Sequence, residues 1–348
     1  MQIPVCGNIS HLTLPKRDLG FNLITAVNLC NGCQISLRKI LKCSPNQEIR
    51  YLANLTETKN IRYDHVVNEA IDSSSNDANI KHWCNKIVKR TERGNTWTNF
   101  MGLKEQCIII KFLIENCRAS EISLWQDTVS KLTTNLFSFC RKSLIFCLSN
   151  ASNLKRWGLH ADGLCTLCKC VQTQFHVLSH CSNSLDRFTW RHDSVLYTIS
   201  RHILSTLPDS FEFFVDLPEL RLPSPALLFT NQRPDIVMKE GKRYIVIELT
   251  CPNEQRLLLS RDYKAEKYKH LRNQLVNDCE DFKLVLVEIS TLGFMSSNIK
   301  SFIDILKELN CNSKRLLSKC CEVAIRCSFF IYCRRDKTWP NPEILNYV

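Results

Sequence analysis

Two acidic residues thirteen positions apart, followed by a lysine on a helical stripe, are the residues of this chain best placed to do chemistry. Residues 233–250 read RPDIVMKEGKRYIVIELT. Two β-rich runs, 235–239 and 243–250, flank Glu240-Gly241-Lys242, and glycine at the first central position of a two-residue turn fits type II′. That register pairs Glu240 with Arg243 and sets Asp235 opposite Glu248, with Cβ atoms roughly 4.5–5.5 Å apart. Alternation sends Ile236, Met238, Ile245, Ile247 and Leu249 to the other face, a candidate core. Two carboxylates held this close repel unless a proton or a cation lies between them. Oxygen-only ligands of this kind suit Mg²⁺ or Mn²⁺.

The segment after the hairpin must supply the counter-charge. Over 254–277 the stripe Leu257, Arg261, Lys264, Tyr268, Leu271, Leu275 recurs at helical spacing. Lys264 lies at the centre of this core-facing stripe, where a charge needs a partner, and the Asp235/Glu248 pair can provide one. The bland alternative is a lysine snorkelling from the edge of a core. Tyr268 stands one turn beyond Lys264.

A second constellation lies upstream, in GLCTLCKCVQTQFHVLSHC. Cys165, Cys168, His176 and Cys181 have the spacing C-x2-C-x7-H-x4-C. Two thiolates two residues apart can clasp one Zn²⁺ from a tight turn, and His176 and Cys181 can close a tetrahedron from the next short helix. Such a site is a folding device for a loop too small to bury a core. Cys170 and His180 are spare candidates. Cys30 and Cys33 lack a second ligand pair and read as helix-face cysteines.

Composition sets the frame for these sites. At 348 residues the chain has room for two or three domains and an ample core. A net charge of +12 favours an acidic partner such as a phosphate backbone. Twenty cysteines, in a chain with no signal-like start, read as reduced thiols of cytosol or nucleus, most of them small core residues. No apolar run nears the ~18 residues of a membrane span; the longest, 107–114, is broken by Lys111. Helical periodicity is read over 24–41, 106–116, 121–134, 136–154, 299–309 and 314–331, a third strand over 282–289, and a polar loop over 56–79. In Trp190-Arg191-His192-Asp193, Asp193 can cap a helix over SVLYTISRHIL, and His192 reads as structural because no nucleophile accompanies it.

The order of PD, a second acid, then lysine and tyrosine four apart resembles the PD-(D/E)xK nuclease superfamily. Thr250 stands where that superfamily often has its strand lysine, so the role moves to Lys264. More narrowly, RPDIV, VIELTCPNE, KAEKYKHL and LVEISTLGF resemble the restriction-like endonuclease of non-LTR retrotransposon polyproteins. Arg233 stands where lysine is frequent and Glu248 where aspartate is frequent. The Cys/His spacing resembles that family's knuckle, WRHD its short Arg-His motif, LPKRDLGFNLITAVNL the segment after its polymerase, NLKRWGLH its linker helices, and CSFFIYCRRDKTWPNP its end. The resemblance implies a mixed α+β chain: a post-polymerase remnant (1–95), a helical linker (96–160), a CCHC zinc knuckle with the Arg-His motif (161–195), and an α/β endonuclease domain (196–348). It implies a metal-dependent DNA endonuclease that nicks one target strand, with no polymerase motif in these residues. Asp235 and Glu248 would hold Mg²⁺ or Mn²⁺, with the Leu249 carbonyl as a further ligand. Lys264 would orient the attacking water or stabilise the phosphate, and Tyr268 would position either. Arg191, Arg233, Arg261 and Lys267 would meet nucleic acid. DNA, and element RNA besides, are the implied partners, in nucleus or cytoplasm, with no membrane and no secretion. The alternative is a relic that binds nucleic acid through its knuckle without cutting it.

Overall fold

The computed structural model describes residues 10–55, 90, 93–217, 233–271 and 279–338. The polar stretch 56–79, Leu275, much of the proline-rich approach to the hairpin and the end of the tail lie outside them. Asn8–Lys104 and the residues from Glu105 onward form two compact units. In the first, helix α1 (Ala26–Lys42) covers the expected 24–41 segment and is followed by α2 (Gln47–Leu55). Leu14, Leu19, Ile35 and Phe100 are buried there. Cys30 and Cys33 are exposed free thiols on α1.

The second unit holds the expected linker, Cys/His segment and hairpin region together. It opens with α3 (Ile108–Asn116), α4 (Ala119–Val129), α5 (Thr134–Leu144) and α6 (Ala151–Arg156). The helix expected over 136–154 is therefore two helices. Phe146 takes a φ of +54°, which a right-handed helix excludes, and the Asn150 side chain then caps α6 by accepting from the Asn153 amide at 2.9 Å. Helix α7 runs Leu185–Leu204, so Asp193 lies mid-helix and caps nothing. Buried positions recur at 187, 190–191, 194–195 and 198–199, and this continuous buried face overrides a local capping residue. The last two helices are α9 (Lys300–Glu308) and α10 (Ser313–Cys333). Helix α10 packs on α7, α4 and α5 and buries Cys320, Cys321 and Cys327, cysteines acting as small apolar residues.

A four-stranded mixed sheet, β1 (Glu212–Val215), β2 (Ile236–Glu240), β3 (Arg243–Thr250) and β4 (Asp281–Glu288), lies in that order. Strand β1 lies upstream of the hairpin, where no strand was expected. The first three strands are antiparallel and β4 runs parallel to β3. Helix α8 (Leu257–Lys267) makes the crossover that a parallel pair requires. It is shorter than the expected 254–277: a 3₁₀ turn, Glu254–Arg256, precedes it and Tyr268 is its C-cap. Glu240 pairs with Arg243 and Ile236 with Ile247, the expected register. Gly241 takes the positive φ, +58°, of its turn position.

Both faces of the sheet are buried, where the alternation pattern assigned the core to one. Ile236, Met238, Ile245, Ile247 and Leu249 are 0 % exposed. On the acids' face, Phe214, Val237, Tyr244 and Val246 form a second cluster with Tyr268 and Leu271, because the crossover covers that side.

The turn after β4 ties the sheet to the helices. Trp125 of α4 stacks on Phe294 with centroids 4.3 Å apart, and its Nε1 donates to the Leu292 carbonyl at 2.7 Å. Between them, Gly293 has φ +80°, and a Cβ there would lie 2.7 Å from Cys321 Sγ and 2.8 Å from the Cys321 carbonyl oxygen. Gly293→Ala is expected to destabilise the fold by about 2–4 kcal/mol, adding a left-handed backbone to overpacking. A denaturant midpoint unchanged from wild type would refute this.

Candidate active site and metal centre

The Cys/His site is built from a tight turn and one turn of helix. The Cys165 amide donates to the Cys170 carbonyl at 2.8 Å and the Lys169 amide to the Cys165 carbonyl at 2.9 Å, with Lys169 at φ +64°. The Thr173 hydroxyl accepts from the His176 amide, starting the single wide turn His176–His180. That turn delivers Cys181 beside His176. The ligand atoms of Cys165, Cys168, His176 and Cys181 all lie within 4.8 Å of one another, the one such group of Cys, His or acidic side chains among the described residues. Cys165 and Cys181 sulfurs are 4.0 Å apart, Cys168 and Cys181 sulfurs 3.9 Å, and Cys168 Sγ is 3.3 Å from His176 Nε2. A tetrahedron with metal–sulfur bonds of about 2.3 Å has sulfur–sulfur edges near 3.8 Å. The cluster fits a metal such as zinc. Cys170 and His180 fall outside the set, and His180 Nδ1 instead lies 3.1 Å from the Phe175 carbonyl.

The acidic site sits at the end of the β2–β3 hairpin. The Leu249 amide donates to Asp235 Oδ2 at 2.7 Å, and the Asp235 amide to Glu248 Oε2 at 3.1 Å. Each carboxylate is thus locked to the partner strand by one oxygen. Glu248 Oε1 receives Lys264 Nζ from α8. Asp235 is 8 % exposed and Glu248 2 %. Burial, reinforced by the charge of Asp235, pushes the Glu248 carboxyl up against the pull of Lys264. Burial also pushes Asp235 up, but His192, the Leu249 amide and Lys264 together outweigh it and hold Asp235 below the usual carboxylate range.

Tyr268 is buried, donates to the Arg233 carbonyl at 3.1 Å and accepts from Lys267 Nζ at 3.0 Å. Its hydroxyl is pushed up by burial and then by Glu248 and Asp235. The structure thus gathers Asp235, Glu248 and Lys264 by direct contact, with Tyr268 packed on the same face.

His192 is the residue that sequence reasoning passed over as structural. From α7 its Nε2 lies 3.3 Å from Asp235 Oδ2 and 3.3 Å from the Leu249 carbonyl oxygen, while Nδ1 pairs with Asp193 at 3.0 Å. Burial opposes its charge, but the two aspartates prevail and raise it well above an ordinary histidine. Only its adjacency to Arg191 marked it in the sequence; Asp235 is 43 positions away.

All four residues expected at nucleic acid have partners within the chain. Arg191 is 1 % exposed, and its guanidinium donates to the Leu178 carbonyl, Ser328 Oγ and the Cys251 carbonyl at 2.8, 3.2 and 3.2 Å. It bolts the Cys/His helix to α10 and to the end of β3, because buried carbonyls need donors. Arg261 pairs with the fully buried Glu288 of β4 at 3.4 Å. Arg233 pairs with Asp216 at the surface. Lys267 lies over the Tyr268 ring, 4.7 Å from its centroid.

No protein-family model matches the chain, and no curated protein matches it. Among the described residues no helix is long and apolar enough to cross a membrane.

Proposed function

We propose that this chain is a metal-dependent DNA endonuclease of the PD-(D/E)xK kind, similar to the nuclease of non-LTR retrotransposon polyproteins. The observation that carries the reading is the convergence of Asp235, Glu248 and Lys264 from two adjacent strands and the crossover helix. The donor set suits Mg²⁺ or Mn²⁺: two carboxylates locked by backbone amides, with the Leu249 carbonyl beside Asp235. Burial and then the charge of Asp235 push the Glu248 carboxyl up, and a divalent cation beside the pair would offset both. When bound, such an ion lowers the pKa of a coordinated water and neutralises phosphate charge. Asp235 and Glu248 hold it; Lys264 orients the attacking water or contacts the phosphate; Tyr268 braces the Arg233 backbone at the mouth of the hairpin. The Cys/His cluster, as a zinc knuckle, stabilises the segment beside this site.

Arg261–Glu288 favours a second reading. It bridges α8 to the sheet one helical turn from Lys264–Glu248, so both pairs also suit a helix fastened to its sheet in a chain that binds nucleic acid without cutting it. Nicking of supercoiled plasmid with and without Mg²⁺, zinc left in place, separates the two. Lys264→Ala is expected to slow nicking by about 10²–10³, the cost of losing one transition-state contact, with Mg²⁺ affinity retained. An unchanged rate would remove Lys264 from the chemistry.

A further inference from the structure

A cleft of about 650 Å³ opens beside the acidic site, between the His176–His180 turn, the first turns of α7 and the segment joining β3 to α8. His192 lines it and also touches Asp235 and the Leu249 carbonyl, so the cleft and the acids share a wall. None of the residues lining it is acidic, although Asp193 and Asp235 lie against His192.

Its walls supply two kinds of contact. Arg256 is exposed and makes no side-chain hydrogen bond or ion pair among the described residues. His180 uses Nδ1 on a backbone carbonyl, leaving Nε2 for a ligand. Asn253, 4 % exposed, has an Oδ1 with no partner, and so does the Nε of Arg191. Unpaired buried polar atoms are costly, and these two stand in the lining of the cleft. Phe188, half-buried, gives an aromatic wall with the Arg191 guanidinium 5.6 Å from its ring centroid.

Cations and amide groups beside an aromatic ring suit a ligand that carries phosphates and flat bases with free faces. Duplex DNA stacks its bases on one another, whereas an unpaired strand offers them to aromatic side chains. We propose that this cleft binds an unpaired nucleic-acid strand and leads its phosphodiester to Asp235 and Glu248; the second half rests on the endonuclease reading above. Phe188 takes a base, Arg256 takes a phosphate oxygen, and His180 Nε2 and Asn253 Oδ1, both acceptors, meet the N–H groups of a base edge or a sugar hydroxyl.

The test is fluorescence anisotropy of a labelled oligothymidine on the full chain, without Mg²⁺ and with zinc retained, so that no cutting intervenes. Phe188→Ala and Arg256→Ala are each expected to weaken binding about fivefold or more, as losing one stacked base or one phosphate contact does. Arg256→Ala should also flatten the dependence of log affinity on log salt by about 0.7. Phe188→Tyr should restore affinity, since tyrosine keeps the ring; a purely structural defect would not be judged by the ligand. Wild-type affinity in both alanine variants, with their zinc content and circular dichroism unchanged, would overturn the proposal. Plasmid nicking by the wild-type chain is scored separately. A chain that nicks while its cleft variants bind normally loses the cleft and keeps the endonuclease. Variants that lose binding in a chain that never nicks keep the strand site and lose the endonuclease.

Discussion

Asp235→Ala and Glu248→Ala are each expected to abolish Mg²⁺-dependent nicking, while Glu248→Asp retains part of it. A hard divalent cation is held by charged oxygens, and a single carboxylate with neutral neighbours leaves it weakly bound. The loss has a second source in this fold. Asp235 Oδ2 and Glu248 Oε2 each accept a backbone amide from the facing strand, so alanine also frees the end of the hairpin. Asp235→Asn and Glu248→Gln keep an acceptor oxygen on each side chain and remove the charge, and should be as inactive as the alanines. Removing Asp235 should leave DNA binding in place, with affinity that falls steeply as salt rises. Rates equal to wild type in all of these variants, in a preparation free of contaminating nuclease, would end the endonuclease reading.

Cys168→Ser and His176→Ala are expected to lose about one zinc per chain and to melt the Cys/His segment. Structural zinc contributes roughly 10 kcal/mol or more in small peptides at neutral pH, and three sulfurs and one ring nitrogen stand ready within 4.8 Å here. Its turn rests on short-range bonds such as Cys165 to Cys170; Gln172 and Gln174 tie the middle of the segment to Ala151 and to the Ser143 carbonyl, and the Leu178 carbonyl, bound by Arg191, ties its end. Melting should therefore reach the end of β3, where the same guanidinium holds the Cys251 carbonyl. Hydrogen exchange at residues 176–181 and 249–252 reads this directly, and metal analysis counts the ion. Well-folded protein purified without zinc, with those amides still protected, would refute the metal reading. Cys170→Ser, one residue outside the cluster, should leave the zinc in place.

Much of the hairpin and of the Cys/His cluster was written in local sequence. A glycine-bearing two-residue turn sets the register of β2 and β3, and register alone sets Asp235 against Glu248. C-x2-C with a later His-x4-Cys is likewise a short-range geometry, and the four ligands do meet. Periodicity found α1, α9 and α10 to within a residue or two at most ends. It misjudged where long-range packing outbid local preference. The α7 face runs straight through Asp193, Phe146 breaks a helix that its apolar spacing would continue, and the acids' face is buried because α8 lies across it.

Charge was the least legible property of all. A basic chain suggested arginines facing phosphate, yet Arg191 is spent on buried carbonyls and Arg261 on Glu288. Sequence by itself determined which residues could ligate and how the two strands pair, since both depend on neighbours along the chain. Only the tertiary structure decided that Lys264 meets Glu248, that His192 meets Asp235, and that the cleft beside them has no carboxylate in its walls. Those facts join residues 16, 43 and more positions apart, and they are set by which buried charge can find a partner when the helices close on the sheet.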